Sequence, residues 1–232
     1  MAATETPAEH PRPHVVVNCA VSVDGRLAYE GGRRALLSGP EDLARVQHLR
    51  AGVDAIVVGI GTVLADDPSL RVHWELIGGG PVGPNPMRVV LDSMGRTPDR
   101  ARVLDGSAPT LIATSERSDR VFPPHVRSVK VGQREVELER LWGALLGAGV
   151  RRVLVEGGAA VLASVLRAGA FDRLTVYVAP VLIGGHRAPS LILGAECPGE
   201  EASVRLLQES AEPLGDGVLL TYRPRPAARV GP

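Results

Sequence analysis

At 232 residues the chain is long enough to bury one substantial core and short for two. Its 26 basic and 26 acidic residues cancel, which removes the electrostatic footprint of a nucleic-acid partner or an anionic membrane surface. The two cysteines, Cys19 and Cys197, suggest neither a disulfide framework nor a zinc site, and with no bilayer-length apolar run and no signal-peptide pattern the expected location is the cytoplasm.

Residues 1–13, rich in Pro, Ala and charge, predict a loose tail, and 224–232 another, leaving 14–223 as one domain. The first strand, His14–Val21, carries Asn18 among apolar residues. A buried amide needs several partners, so Asn18 is expected either at a sheet edge or facing a substrate. Ser22-Val23-Asp24-Gly25 then reads as a turn. A helix over Pro40–Ala51 leads to the β-branched run Ala55–Ile60, which has the look of a buried strand. Gly59 and Gly61 let the backbone turn tightly and approach a ligand, and Thr62 opens a helical turn whose free N–H groups can face an anion. The third glycine of the dinucleotide fingerprint is missing, so a plain strand-to-helix turn explains the pair equally well.

The Gly- and Pro-rich stretch Ile77–Pro86 is a loop, either a flap over a site or a spacer. Strands follow at Arg88–Asp92, Thr110–Thr114 and Val126–Val131. The loop Ser115-Glu116-Arg117 either reads a ribose 2′-phosphate or is solvated. Leu138, Leu141, Leu145 and Leu146 recur at helical spacing within a helix over Glu135–Gly149. The strand Arg152–Val155 then enters a second glycine turn, Glu156-Gly157-Gly158, before a helix over Ala159–Ala168. The positive end of that helix suits a pyrophosphate. Two such turns on parallel strands both open at the carboxyl edge of the sheet, where ligands of α/β folds bind. Glu156 either favours the helix N-terminus or, because it would repel a phosphate, faces a neutral hydrogen-bonding substrate. Strands at Arg173–Ala179 and Val218–Arg223, with no clear helix between them, predict an antiparallel C-terminal edge on a mostly parallel central sheet with flanking helices, an α/β fold. His48, His73, His125 and His186 lack metal-ligand spacing, so no metal is expected. With neither a supported Ser-His-Asp order nor a Walker A lysine, redox chemistry would come from a bound cofactor.

Several motifs appear in order: Ser22-Val23-Asp24-Gly25, Arg50-Ala51-Gly52-Val53-Asp54-Ala55-Ile56, Gly59-Ile60-Gly61-Thr62-Val63-Leu64-Ala65-Asp66-Asp67-Pro68, Arg88-Val89-Val90-Leu91-Asp92-Ser93, Glu156-Gly157-Gly158, and Ala179-Pro180 followed by Gly184-Gly185. Together, from His14 to Arg223, they resemble the riboflavin-pathway pyrimidine reductases, the reductase domain of the RibD type. The zinc signature of the deaminase fused to many bacterial versions, His-x-Glu with Pro-Cys-x-x-Cys, does not occur, so the likeness is to the stand-alone reductase.

The resemblance implies a single dihydrofolate-reductase-like domain, working as a homodimer. It implies hydride transfer from NADPH, with NADH as the alternative donor, to C1′ of the ribosylamino chain of a pyrimidine 5′-phosphate. By the same similarity Ala20, Gly59, Gly61, Thr62, Asp66, Asp92 and Ser93 line the cofactor, and Gly157, Gly158, Ala159 and Ala160 hold its pyrophosphate. Asn18, Asp24, Arg50, Leu70, His73 and Glu156 would face the substrate, and Asp24 or Glu156, with a pKa raised by burial, would move the proton that opens the ribosylamine ring. Fused bacterial reductases tend to carry arginine where this chain has His73, whereas the archaeal type looks more like Val72-His73. That favours a substrate that keeps its 2-amino group over the deaminated uracil form. Alternatives are a reductase of a pterin or dihydrofolate on the same fold, and a non-catalytic nucleotide-binding module.

Overall fold

Alternating side chains along the first two strands divide the core between two faces of one sheet. β1 (His14–Ser22) sends Val15, Val17, Cys19 and Val21 to one face, and β2 (Ala55–Gly59) sends Ala55 and Val57 the same way but Ile56 and Val58 to the other. Burial on both faces is what a parallel sheet covered above and below requires. The computed structural model describes residues 11–80, 82–192, 199–200 and 203–225. Most of the two expected tails, and Cys197, lie outside the described residues.

The remaining strands are β3 (Met87–Leu91), β4 (Thr110–Thr114), β5 (Val126–Lys130), β6 (Arg152–Gly157), β7 (Arg173–Ala179), β8 (Leu206–Leu214) and β9 (Gly217–Pro224). Among the described residues they form a nine-stranded sheet in the order β5-β4-β3-β2-β6-β1-β7-β9-β8. Pairings from β5 across to β7 are parallel, and β7–β9 and β9–β8 are antiparallel. The α/β architecture with an antiparallel C-terminal edge is therefore as expected. Helices α3 (Leu138–Gly147) and α4 (Ala159–Arg167) cover the first face through Leu141, Trp142, Leu145, Leu162, Val165 and Leu166. The short helix α2 (Ile60–Asp66) packs Ile60 and Val63 on the second face beside Val103, Leu104 and Phe122. Helix α1 (Pro40–Ala51) ends at Gly52, whose N–H bonds back to the last turn. No described helix is long and apolar enough to cross a membrane.

Two elements depart from the expectation. β8 lies where no element was expected, because Leu-Leu-Gln-Glu-Ser-Ala-Glu-Pro-Leu lacks a clear alternation and contains a proline, which only an edge strand accommodates. In β6 the register slips by one residue. Val57 pairs with Val155, but Val58 pairs with Gly157, so Glu156 is the extra residue of a bulge. Bulges re-aim a side chain next to a site.

Candidate active site

β2 and β6 are neighbours at the centre of the sheet, so their two glycine turns face each other at its carboxyl edge. Gly59 is required by packing, since a Cβ there would stand 2.8 Å from Val161 Cγ2 on α4. Gly158 is required by conformation, because its φ of 65° lies in the left-handed region; a Cβ would also meet Thr62 Oγ1 at 3.4 Å. The backbone on both sides is thus bare where α2 and α4 begin. Between them opens a cleft of about 1030 Å³, lined by Ala20, Gly59, Gly61, Thr62, Asp66, Ser93, Gly157, Gly158, Ala159 and Ala160, with Arg50 and Glu156. That volume is at the upper end of small-molecule sites, which run about 300–1,000 Å³, and gives room for a dinucleotide beside a second ligand. Bare glycine backbone and the N–H groups opening α4 fit a pyrophosphate.

Arg50, from the last turn of α1, meets the bulged Glu156 in a two-pronged pair, Nε to Oε1 at 2.8 Å and Nη2 to Oε2 at 2.7 Å. Burial disfavours the Arg50 charge, but Glu156 more than offsets this and its pKa lies above the ordinary arginine value. Arg50 Nη1 also donates to the Arg71 carbonyl at 2.9 Å. A second cavity of about 310 Å³ shares Arg34, Arg50, Thr62, Asp66 and Glu156 with the cleft and adds Ser69, Leu70, His73 and Arg102. Leu70 is buried and takes a φ of 48°. The His73 ring lies 3.0 Å from Glu75 Oε1 through Nδ1 and 3.4 Å from Ser69 Oγ through Nε2, and its backbone N–H donates to Gln47 Oε1.

Three expected site residues line neither cavity. Asn18 sits on β1, between β6 and β7 and far from any edge, and its Oδ1 accepts from Arg45 Nη2 at 2.7 Å and Thr175 Oγ1 at 2.8 Å. Asp24 accepts from the N–H groups of Ile183 and Gly184 and from the Ser22 hydroxyl. The Ile183 N–H foremost, then the Ser22 hydroxyl and the Gly184 N–H, hold its pKa down to about 2. The raised pKa expected of a proton donor is absent, and Asp24 is the anchor of a loop. Asp92 is fully buried and accepts from Thr97 N and Oγ1, both at 2.7 Å. The Ser115–Arg117 loop and the described part of 77–86 also stay outside both cavities. Conversely, Arg34, Arg96 and Arg102 line the site without having been singled out. In a chain whose cations are nearly all arginine, residue type alone does not separate them from solvated ones.

The family model of the RibD C-terminal domain matches residues 13–220. The chain is 41% identical over 215 residues to the 2,5-diamino-6-ribosylamino-4(3H)-pyrimidinone 5′-phosphate reductase of Methanothermobacter thermautotrophicus, a match covering 91% of this chain and 98% of that one. It is 33% identical to the riboflavin biosynthesis protein RibD of Bacillus amyloliquefaciens, covering 92% of this chain and 58% of that protein. The crystal structure of a diaminohydroxyphosphoribosylaminopyrimidine deaminase/5-amino-6-(5-phosphoribosylamino)uracil reductase from Thermotoga maritima aligns with a TM-score of 0.77 at 25% identity, over 92% of this chain and 57% of that one. Fold, paired glycine turns and these likenesses agree: the chain belongs to the RibD C-terminal domain family of pyrimidine reductases.

Proposed function

We propose that the chain reduces 2,5-diamino-6-ribosylamino-4(3H)-pyrimidinone 5′-phosphate at C1′ of the opened sugar with NADPH, giving the ribitylamino product of the riboflavin pathway. The observation that carries this reading is the Arg50–Glu156 pair, which stands at the junction of a dinucleotide-sized cleft and a smaller cationic cavity. The relative at 41% identity is named for the substrate that keeps its 2-amino group, which supports that form over the uracil form. A homodimer belongs to the same reading and rests on the resemblance; a cytoplasmic location is the expectation drawn from the sequence pattern.

In this assignment Gly59–Thr62 and Gly157–Ala160 hold the cofactor, which supplies the hydride when bound. Ser93 and Arg96 lie in the same cleft and suit the adenosine end, where a cation favours a 2′-phosphate. The substrate phosphate lies in the smaller cavity against His73, and the sugar crosses the junction. Both Glu156 oxygens are occupied by Arg50 and each retains a lone pair, so the carboxylate can accept from a sugar hydroxyl and take part in moving the ring-opening proton. Arg50 fixes the carboxylate plane, and the Arg71 carbonyl fixes Arg50.

The test is NADPH oxidation by the purified chain with the pyrimidinone phosphate, in competition with dihydrofolate. Turnover of the phosphate is expected. Turnover of dihydrofolate alone, or NADPH binding without any turnover, would overturn the reading. His73→Ala is expected to raise KM for the phosphorylated substrate and leave KM for NADPH unchanged; an unchanged substrate KM would remove His73 from the phosphate cavity.

A further inference from the structure

The aspartate pair after α2 divides its labour. Asp66 lines both cavities, whereas Asp67 lines neither. Asp67 adopts a left-handed backbone, φ 40°, at the end of α2, with its own N–H on the Val63 carbonyl at 3.0 Å. Its Oδ1 then accepts the backbone N–H of Arg102 at 2.8 Å, across 35 positions of sequence. The carbonyl of Arg102 is gripped from the other side by Arg88, whose Nη1 reaches it at 3.0 Å. Arg88 has none of its side chain exposed, and it also binds Thr110 Oγ1, Asp105 Oδ1 and the Ala108 carbonyl. The backbone of Arg102 is therefore clamped at both N–H and carbonyl, while its side chain lines the smaller cavity. Among the described residues that guanidinium has no carboxylate at ion-pair distance.

The charges around this cavity do not cancel. Arg34, Arg50 and Arg102 stand on one side of the account, and only Asp66 and Glu156 on the other, with Glu156 already taken by Arg50. A clamped arginine without an acidic partner in such a wall suits an anion, and its planar fork matches phosphate oxygens. Two unrelated groups, Asp67 and the buried Arg88, converge on the backbone of a single residue, more restraint than a solvated arginine needs.

We propose that Arg102 binds the 5′-phosphate of the substrate and that Asp67 is the positioning residue that holds Arg102 for it. This rests on the reading of the smaller cavity as the phosphate site. It gives the second aspartate of Ala65-Asp66-Asp67-Pro68 a function distinct from that of the first.

The experiment compares the phosphorylated substrate with its dephosphorylated riboside. Arg102→Gln, at an exposed position that tolerates the change, is expected to raise KM for the phosphorylated form about tenfold, the scale of one charge-assisted hydrogen bond. The riboside KM, kcat and KM for NADPH should stay as in the unaltered chain. Asp67→Ala should move the same ratio in the same direction. Asp67→Asn, which keeps both the acceptor oxygen and the tolerance for a left-handed backbone, should restore it. If Arg102→Gln leaves the phosphate preference intact while His73→Ala weakens it, the assignment of Arg102 is wrong and the phosphate cavity stands. If the unaltered chain reduces both forms with equal KM, the cavity reading and this assignment fall together.

Discussion

Glu156 and Arg50 have only 8% and 14% of their side chains exposed, so each is the other's main compensation for lost water. Removing one member of such a pair leaves a charge stranded. Glu156→Gln is expected to lower stability by about 3 kcal/mol, read in urea as a lower midpoint at unchanged slope. The double variant Arg50→Met, Glu156→Leu should regain most of that stability and stay inactive. A double variant no more stable than the single one would show that the pair is held by something other than mutual charge compensation. At this scale the sequence was legible where the signal is local. Glu156-Gly157-Gly158 follows directly on an apolar run, and its neighbourhood could be inferred from its own position. Asn18 and Asp24 were not legible, because Thr175 and Ile183 lie 157 and 159 positions away. An amide inside an apolar strand looks the same in sequence whether it faces a ligand or a neighbouring threonine. The burial of Asp92 is not legible for another reason, since its partner Thr97 is only five positions on but the burial depends on the strands around it.

Gly59 shows how one element sets the distance to another. Its φ of −84° is ordinary, so only the nearness of Val161 on α4 excludes a side chain there. Gly59→Ala is expected to push α4 from β2, costing about 1–3 kcal/mol of overpacking, and to weaken NADPH binding in titration. Adding Val161→Ala should restore binding by making the room; if it does not, contact with α4 is not why the position is bare. Most elements were legible because apolar alternation and glycine punctuation mark both ends. The bulge at Glu156 was not, since a one-residue slip depends on what the neighbouring strand offers and leaves no mark in β6 itself. β8 escaped because an edge strand is half-exposed and carries polar residues that discourage further pairing, which erases the pattern that reveals an interior strand.

Across the molecule, Asp24 ties the end of β1 to the segment that follows β7. Its folded-state pKa of about 2 lies below the ordinary 3.8, so the carboxylate stabilises the fold above the unfolded pKa. That contribution is lost as pH falls from about 4 towards 2. Thermal denaturation should show a decline over this window that is shallower in Asp24→Asn. A parallel decline in both would mean that other acids dominate. The whole-molecule architecture was legible because strand and helix alternate along most of the chain, yet the strand order was not. Nothing local in His14–Ser22 says that it will sit between β6 and β7.

That placement has a consequence for how the chain is made. The strand synthesised first pairs with residues 152–155 on one side and 173–179 on the other. While the ribosome works through the intervening stretch, a run of buried valines waits with both hydrogen-bonding edges open. Closing so long a loop is slow, and an unpaired apolar strand invites association with other nascent chains. The strand that carries Asn18 and lies beneath the site waits longest for its neighbours, so a truncation before residue 173 leaves a sticky fragment and no partial enzyme.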